Sequence, residues 1–95
     1  MELVSVNGKF IKVPKMWEAC LAKCGAEAST YRLALYLLER ANFAELVPLS
    51  TAALERRGVS RASKWRALKQ LRQAGLVAVE HKRGRLPLVK VRWRA

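Results

Sequence analysis

Between residues 50 and 76 the chain is cut by glycines and helix-capping serines at positions that leave few ways to fold. Ser50 precedes the run Thr51 to Arg57, Gly58-Val59-Ser60 interrupts it, a second run extends from Arg61 to Ala74, and Gly75 ends that one. A serine just before a helix accepts a hydrogen bond from a free N–H of the first turn. A glycine just after it supplies the left-handed residue that closes the last turn. Residues 50–74 therefore read as a short helix, a tight turn and a longer helix, with Val59 as the apolar residue that pins the two together. Leu76 to Glu80 then reads as a strand, Lys82-Arg83-Gly84-Arg85 as a polar turn, and Leu86 to Trp93 as a second strand with Val89, Val91 and Trp93 on one face. Pro87 confines that strand to an edge or a bulge.

Upstream, Leu3-Val4-Ser5-Val6 and Lys9-Phe10-Ile11-Lys12-Val13 flank Asn7-Gly8, the signal of a two-residue hairpin turn. Pro14 suits the first turn of a helix to about Cys24, with Trp17, Leu21 and Cys24 as its apolar stripe and Gly25 as its stop. A second helix is expected from Glu27 to Ala41. Its apolar residues Leu33, Ala34, Leu35, Leu37, Leu38 and Ala41 cover roughly 200° of the circumference, leaving Arg32, Tyr36, Glu39 and Arg40 for the rest. An arc that wide fits a central helix packed on both sides, or one shared between the core and a two-fold seam. The second reading places Leu33 and Leu37 at the interface of a homodimer built through residues 1–45. Leu46-Val47-Pro48-Leu49 reads as an edge strand or extended link. The 95 residues make one domain, mainly α, with an N-terminal β-hairpin and helices over 1–45, a helix-turn-helix over 50–74 and a small β-hairpin wing over 76–93. That element order is the order of a winged helix-turn-helix.

Charge separates the two halves. The chain has 19 Lys+Arg and 7 acids, all Glu, for a net +12. Residues 1–50 hold six bases and five acids, whereas 51–95 hold thirteen bases and two, Glu55 and Glu80. A nearly neutral half joined to a half at +11 points to a polyanion partner for the second. Nucleic acid fits better than anionic lipid, because the basic half has no long amphipathic helix with an apolar face left over for a bilayer. No apolar run approaches the roughly 20 residues of a membrane span, and no basic-then-apolar leader opens the chain. A cytoplasmic, nucleoid-associated location is expected. Cys20 and Cys24 share a helix face at a spacing that suits a disulfide poorly. A metal site would need more ligands, and His81 is the sole histidine. Buried thiols in a reducing compartment are the expectation.

Catalytic signatures are missing. The chain has no Asp, no phosphate-binding or dinucleotide-binding glycine motif, no nucleophile elbow and no zinc spacing. The expectation is a protein that is not an enzyme, with no cofactor and no small-molecule effector.

The block Gly58-Val59-Ser60-Arg61-Ala62-Ser63-Lys64-Trp65-Arg66-Ala67-Leu68-Lys69-Gln70-Leu71, followed by Ala74-Gly75-Leu76-Val77, resembles the recognition-helix region of bacterial winged-helix transcriptional regulators. The continuation from Val79 to Val89 looks like their wing. Phe10-Ile11-Lys12-Val13-Pro14, ahead of a Trp-bearing helix and a Leu-rich one, is similar to small single-domain proteobacterial members. The resemblance covers most of residues 10–92, strongly over 50–80 and loosely before. It implies sequence-specific binding of double-stranded DNA and regulation of transcription by occupancy of a promoter. The same fold would also serve a replication, partition or recombination-directionality factor of a mobile element. A module that binds protein or RNA is the alternative of a different class.

On a helical wheel Leu68, Leu71, Ala67 and Ala74 form the core arc of the 61–74 helix, and Arg61, Trp65, Lys69, Ala62 and Arg66 form a second arc. The N-terminal part of such a helix meets base edges. Arg61 and then Arg66 are the candidates for guanine, and Ala62 for close approach or a thymine methyl. Trp65 borders both arcs; packing under the helix is the favoured reading, and a base contact the other. Lys69 is placed on a phosphate. Lys64 falls inside the core arc, so its stem is expected to be buried and its ammonium to reach out towards Glu55 or a phosphate. Lys82, Arg83 and Arg85 at the wing tip are candidates for the flanking backbone or minor groove. Ser50 and Thr51 sit where a helix N-terminus can donate to phosphate.

Overall fold

The computed structural model describes residues 2–6, 9–41, 45–81, 84 and 86–92. Strands β1 (Glu2–Val6) and β2 (Lys9–Val13) pair antiparallel, with Val4 opposite Ile11 and Val6 opposite Lys9. The register is the one a two-residue connection at Asn7-Gly8 requires; the turn itself lies outside the described residues. Helix α1 (Lys15–Lys23) starts after Pro14, whose extended backbone makes it the N-cap rather than the first helical residue. Helix α2 (Ala28–Ala41) follows, then the short strand β3 (Leu46–Pro48), helix α3 (Thr51–Arg56), helix α4 (Arg61–Gln73) and strands β4 (Val77–Glu80) and β5 (Leu88–Val91).

The second sheet has three strands: of the two readings of residues 46–49 the edge strand holds, and it joins the two strands expected after α4. β5 lies between β3 and β4, antiparallel to both, with Val89 facing Val47 on one side and Val79 on the other. Pro48 and Pro87 do not disturb it: β3 is an edge, as its proline demands, and Pro87 lies just ahead of β5, its carbonyl accepting from Leu49 N–H at 2.9 Å. Val89 and Val91 are buried as read from the sequence; Trp93 lies outside the described residues.

α2 is the centre of the molecule. It packs against α4 on one side and against β2, β3 and β5 on others. Leu33, Leu37 and Leu38 have no exposed surface. The wide apolar arc is therefore used up inside the protomer, and Leu33 and Leu37 cannot line a dimer seam: a side chain with no exposed surface has nothing to offer a partner. Each such leucine contributes about 1.5–3 kcal/mol of burial. Tyr36, assigned to the polar arc, is buried too. The guanidinium groups of Arg40 and Arg57 lie 5.7 and 5.5 Å from its ring, and Arg57 is fixed by a 2.7 Å ion pair with Glu39. Charged side chains thus roof an aromatic ring that the wheel had left to solvent.

Two hydrogen bonds tie distant parts together. Trp17, fully buried, donates from Nε1 to the Arg92 carbonyl at 2.6 Å, joining α1 to the end of β5. Thr30 donates from its hydroxyl to Gln70 Oε1, joining α2 to α4. The cysteines depart from expectation: Cys20 is half-buried and Cys24 exposed, because α1 turns only Trp17 and Leu21 fully inward. Among the described residues no helix is long and apolar enough to cross a membrane, and no cluster of three or more His, Cys, Asp or Glu could hold a metal ion.

Candidate nucleic-acid interface

The geometry of the 50–74 segment follows from its capping residues. Ser50 Oγ accepts from Ala53 N–H at 3.3 Å and starts α3. Gly58, at φ +82°, reverses the chain after α3, and Val59 is buried beneath the turn. Arg32 of α2 donates to the Gly58 carbonyl at 3.2 Å and braces the turn from outside. Ser60 Oγ accepts from Ser63 N–H at 3.1 Å and starts α4.

α4 carries five basic residues and no acid. It buries Lys64, Ala67, Leu68 and Leu71 and exposes Arg61, Ala62, Trp65, Arg66, Lys69 and Arg72. Arg61, Trp65 and Lys69 follow each other at intervals of four, so they form one row on the helix surface. No described residue pairs with Arg61 or Lys69. Lys69, Arg72 and Gln73 line a shallow polar hollow of about 340 Å³ at the far end of the helix. Arg66 is on a different side: its guanidinium meets Glu27, just before α2, at 3.1 Å. Both groups are exposed, so the pair is weak. The two arginines put forward for base contact therefore do not lie on one face.

Lys64 is only 4% exposed. Its ammonium does not emerge towards Glu55. It donates to Thr51 Oγ1 at 2.8 Å and lies 4.6 Å from the Trp65 ring centroid. Among the described residues no carboxylate pairs with it. Burial, and then the nearby Arg61 charge, lowers its pKa below the usual lysine range. The stem is buried as foreseen, but the head is held against the first residue of α3 and so locks α3 to α4.

Trp65 does not pack under the helix; it is 46% exposed. The imidazole of His81, the residue after β4, stacks on it at 6.3 Å between centroids and 24° between planes. His81 carried no signal as a site residue in the sequence, since nothing in the spacing of residues 65 and 81 indicates that the two rings meet. Ser50 is committed to its cap, and the Thr51 hydroxyl accepts from Lys64. Gly84, at φ +74°, sits in the turn between β4 and β5; Lys82, Arg83 and Arg85 lie outside the described residues.

Compared with protein-family models, with curated proteins and with solved structures, the chain matches none.

Proposed function

We propose that the chain is a sequence-specific double-stranded DNA-binding protein of winged helix-turn-helix architecture that regulates transcription by occupying promoter DNA. The observation that carries this reading is α4: an exposed row of Arg61, Trp65 and Lys69 on a helix without a single acid. The sequence between β4 and β5 adds Lys82, Arg83 and Arg85. A helix of about this width fits the major groove of B-DNA. Arg61, at the N-terminal end of α4, is the residue assigned to guanine, Ala62 to close approach, Lys69 to a phosphate, and the β4–β5 turn to flanking backbone or minor groove. Arg66 joins base reading only by leaving Glu27, which an exposed pair permits.

A lone recognition helix reads few base pairs, so two copies on a two-fold site suit a regulator better than one. With Leu33 and Leu37 interior, the homodimer reading rests on the exposed Tyr31, the half-buried Leu35 beside it and the low charge of residues 1–50.

Binding to random and selected duplexes over a range of salt tests the reading. Neutralising about 5–8 phosphates per protomer gives a slope of about −4 to −7 in log affinity against log salt. A slope near zero on duplex DNA overturns DNA binding. Equal affinity for duplex RNA and for every DNA sequence overturns specificity.

A further inference from the structure

Trp65 is the largest apolar group that α4 leaves in the open, and it is not loose. Lys64, tethered to Thr51, holds the ring through its ammonium at 4.6 Å, and His81 stacks on it from the root of the β4–β5 turn. An indole fixed in place and still 46% exposed is shaped for an apolar group that arrives from outside. Its neighbours narrow what that group belongs to. Arg61 lies one helical turn before it and Lys69 one turn after, with the methyl of Ala62 at i−3. The partner therefore presents negative charge or acceptors on either side of a small apolar patch. The major-groove edge of duplex DNA meets that description at one place only, the C5-methyl group of thymine, which sits among acceptor atoms and between phosphates.

We infer that Trp65, together with Ala62, is a specificity-determining contact for a thymine 5-methyl group, so that the recognised site requires a thymine at a fixed offset from the base read by Arg61. This rests on the DNA-binding reading. Lys64 and His81 are positioning residues here: they set the ring and do not touch the base.

The experiment begins from a duplex selected out of a random pool. Each thymine in turn is replaced by deoxyuridine, which removes only the methyl. The expected result is a loss of about fourfold at one thymine per protomer, the effect of withdrawing one methyl-sized group from an apolar contact. Trp65→Ala, at an exposed position that leaves the fold intact by circular dichroism, shows no such penalty at that thymine. In the parent protein 5-iododeoxyuridine at the same position crosslinks to Trp65 on irradiation. Indifference to deoxyuridine at every thymine overturns the inference, as does a penalty that persists in Trp65→Ala, or a crosslink found only elsewhere. A pool that yields no preferred sequence brings down the DNA-binding reading and this one with it. A clear preference without any deoxyuridine penalty brings down this one alone.

Discussion

Lys64 shows how one buried charge divides stability from function. Its ammonium has a single hydroxyl acceptor and no counter-ion among the described residues. With the folded-state pKa below 10.5, the native state gives up this proton before the unfolded chain does. Stability therefore rises as pH increases through the folded value towards 10.5, and near neutrality the charged group costs stability. Lys64→Met is expected to unfold in urea at neutral pH with stability equal to the parent or up to about 2 kcal/mol higher. That advantage shrinks as pH approaches 10, and affinity for duplex DNA falls several-fold at the same time. A variant clearly less stable than the parent at pH 7 would mean that the Thr51 bond outweighs desolvation. Arg61 and Arg83 make a second contrast. Arg61→Ala is expected to cost about 1–3 kcal/mol on the selected site and to relax one or two base positions. Arg83→Ala weakens selected and random duplexes alike. Equal losses on both duplexes for Arg61→Ala would move Arg61 to the phosphate class.

At the scale of elements, the angle between α3 and α4 depends on a turn that tolerates little change. Gly58 has φ +82°, and a Cβ there would lie 2.9 Å from Arg32 Nη1. The arginine tip can move aside, so the lasting cost of Gly58→Ala is the left-handed backbone, about 1–2 kcal/mol in urea denaturation. Adding Arg32→Ala does not restore it; restoration would make the clash, and not the backbone, the cause. The link from α1 to the last strand is tested by Trp17→Phe. It keeps a ring in the core but strips the Arg92 carbonyl of its indole donor, for a loss of about 1–3 kcal/mol. The Arg92 N–H, which donates to the Leu76 carbonyl at 2.8 Å, then exchanges with solvent faster relative to the amides of α2.

At the scale of the whole molecule, residues 1–50 are nearly neutral and residues 51–95 strongly basic, a split that the proposed reading assigns to a second copy and to DNA respectively. Between α1 and α2 runs an apolar groove of about 230 Å³ bordered by Leu21, Tyr31, Leu35 and Leu38. Sedimentation at micromolar protein without DNA is expected to show a species of twice 10.7 kDa, reduced to 10.7 kDa by Tyr31→Glu. A parent protein that sediments at 10.7 kDa and binds single half-sites without cooperativity leaves the monomer as the working unit.

What the sequence determined is what short-range rules govern. The serine caps at 50 and 60, the glycine at 58 and the hairpin register around residues 7 and 8 act within a few residues of themselves, so helix and strand limits read from them agree with the structure to within a residue or two. The core arc of α4, including the placement of Lys64 in it, followed from helical periodicity alone. What only tertiary structure decided is which distant groups meet. Periodicity gives the width of an apolar arc but not what covers it, so Leu33 and Leu37 looked available until α4 and the strands closed over them. It gives the direction of Lys64 but not Thr51 as its acceptor, and places Arg66 on a surface without showing Glu27 beside it. The Trp65–His81 stack joins two elements whose mutual approach is set by how the three-stranded sheet docks on α2 and α4. That docking is a sum of many weak apolar contacts, and no single local motif encodes it.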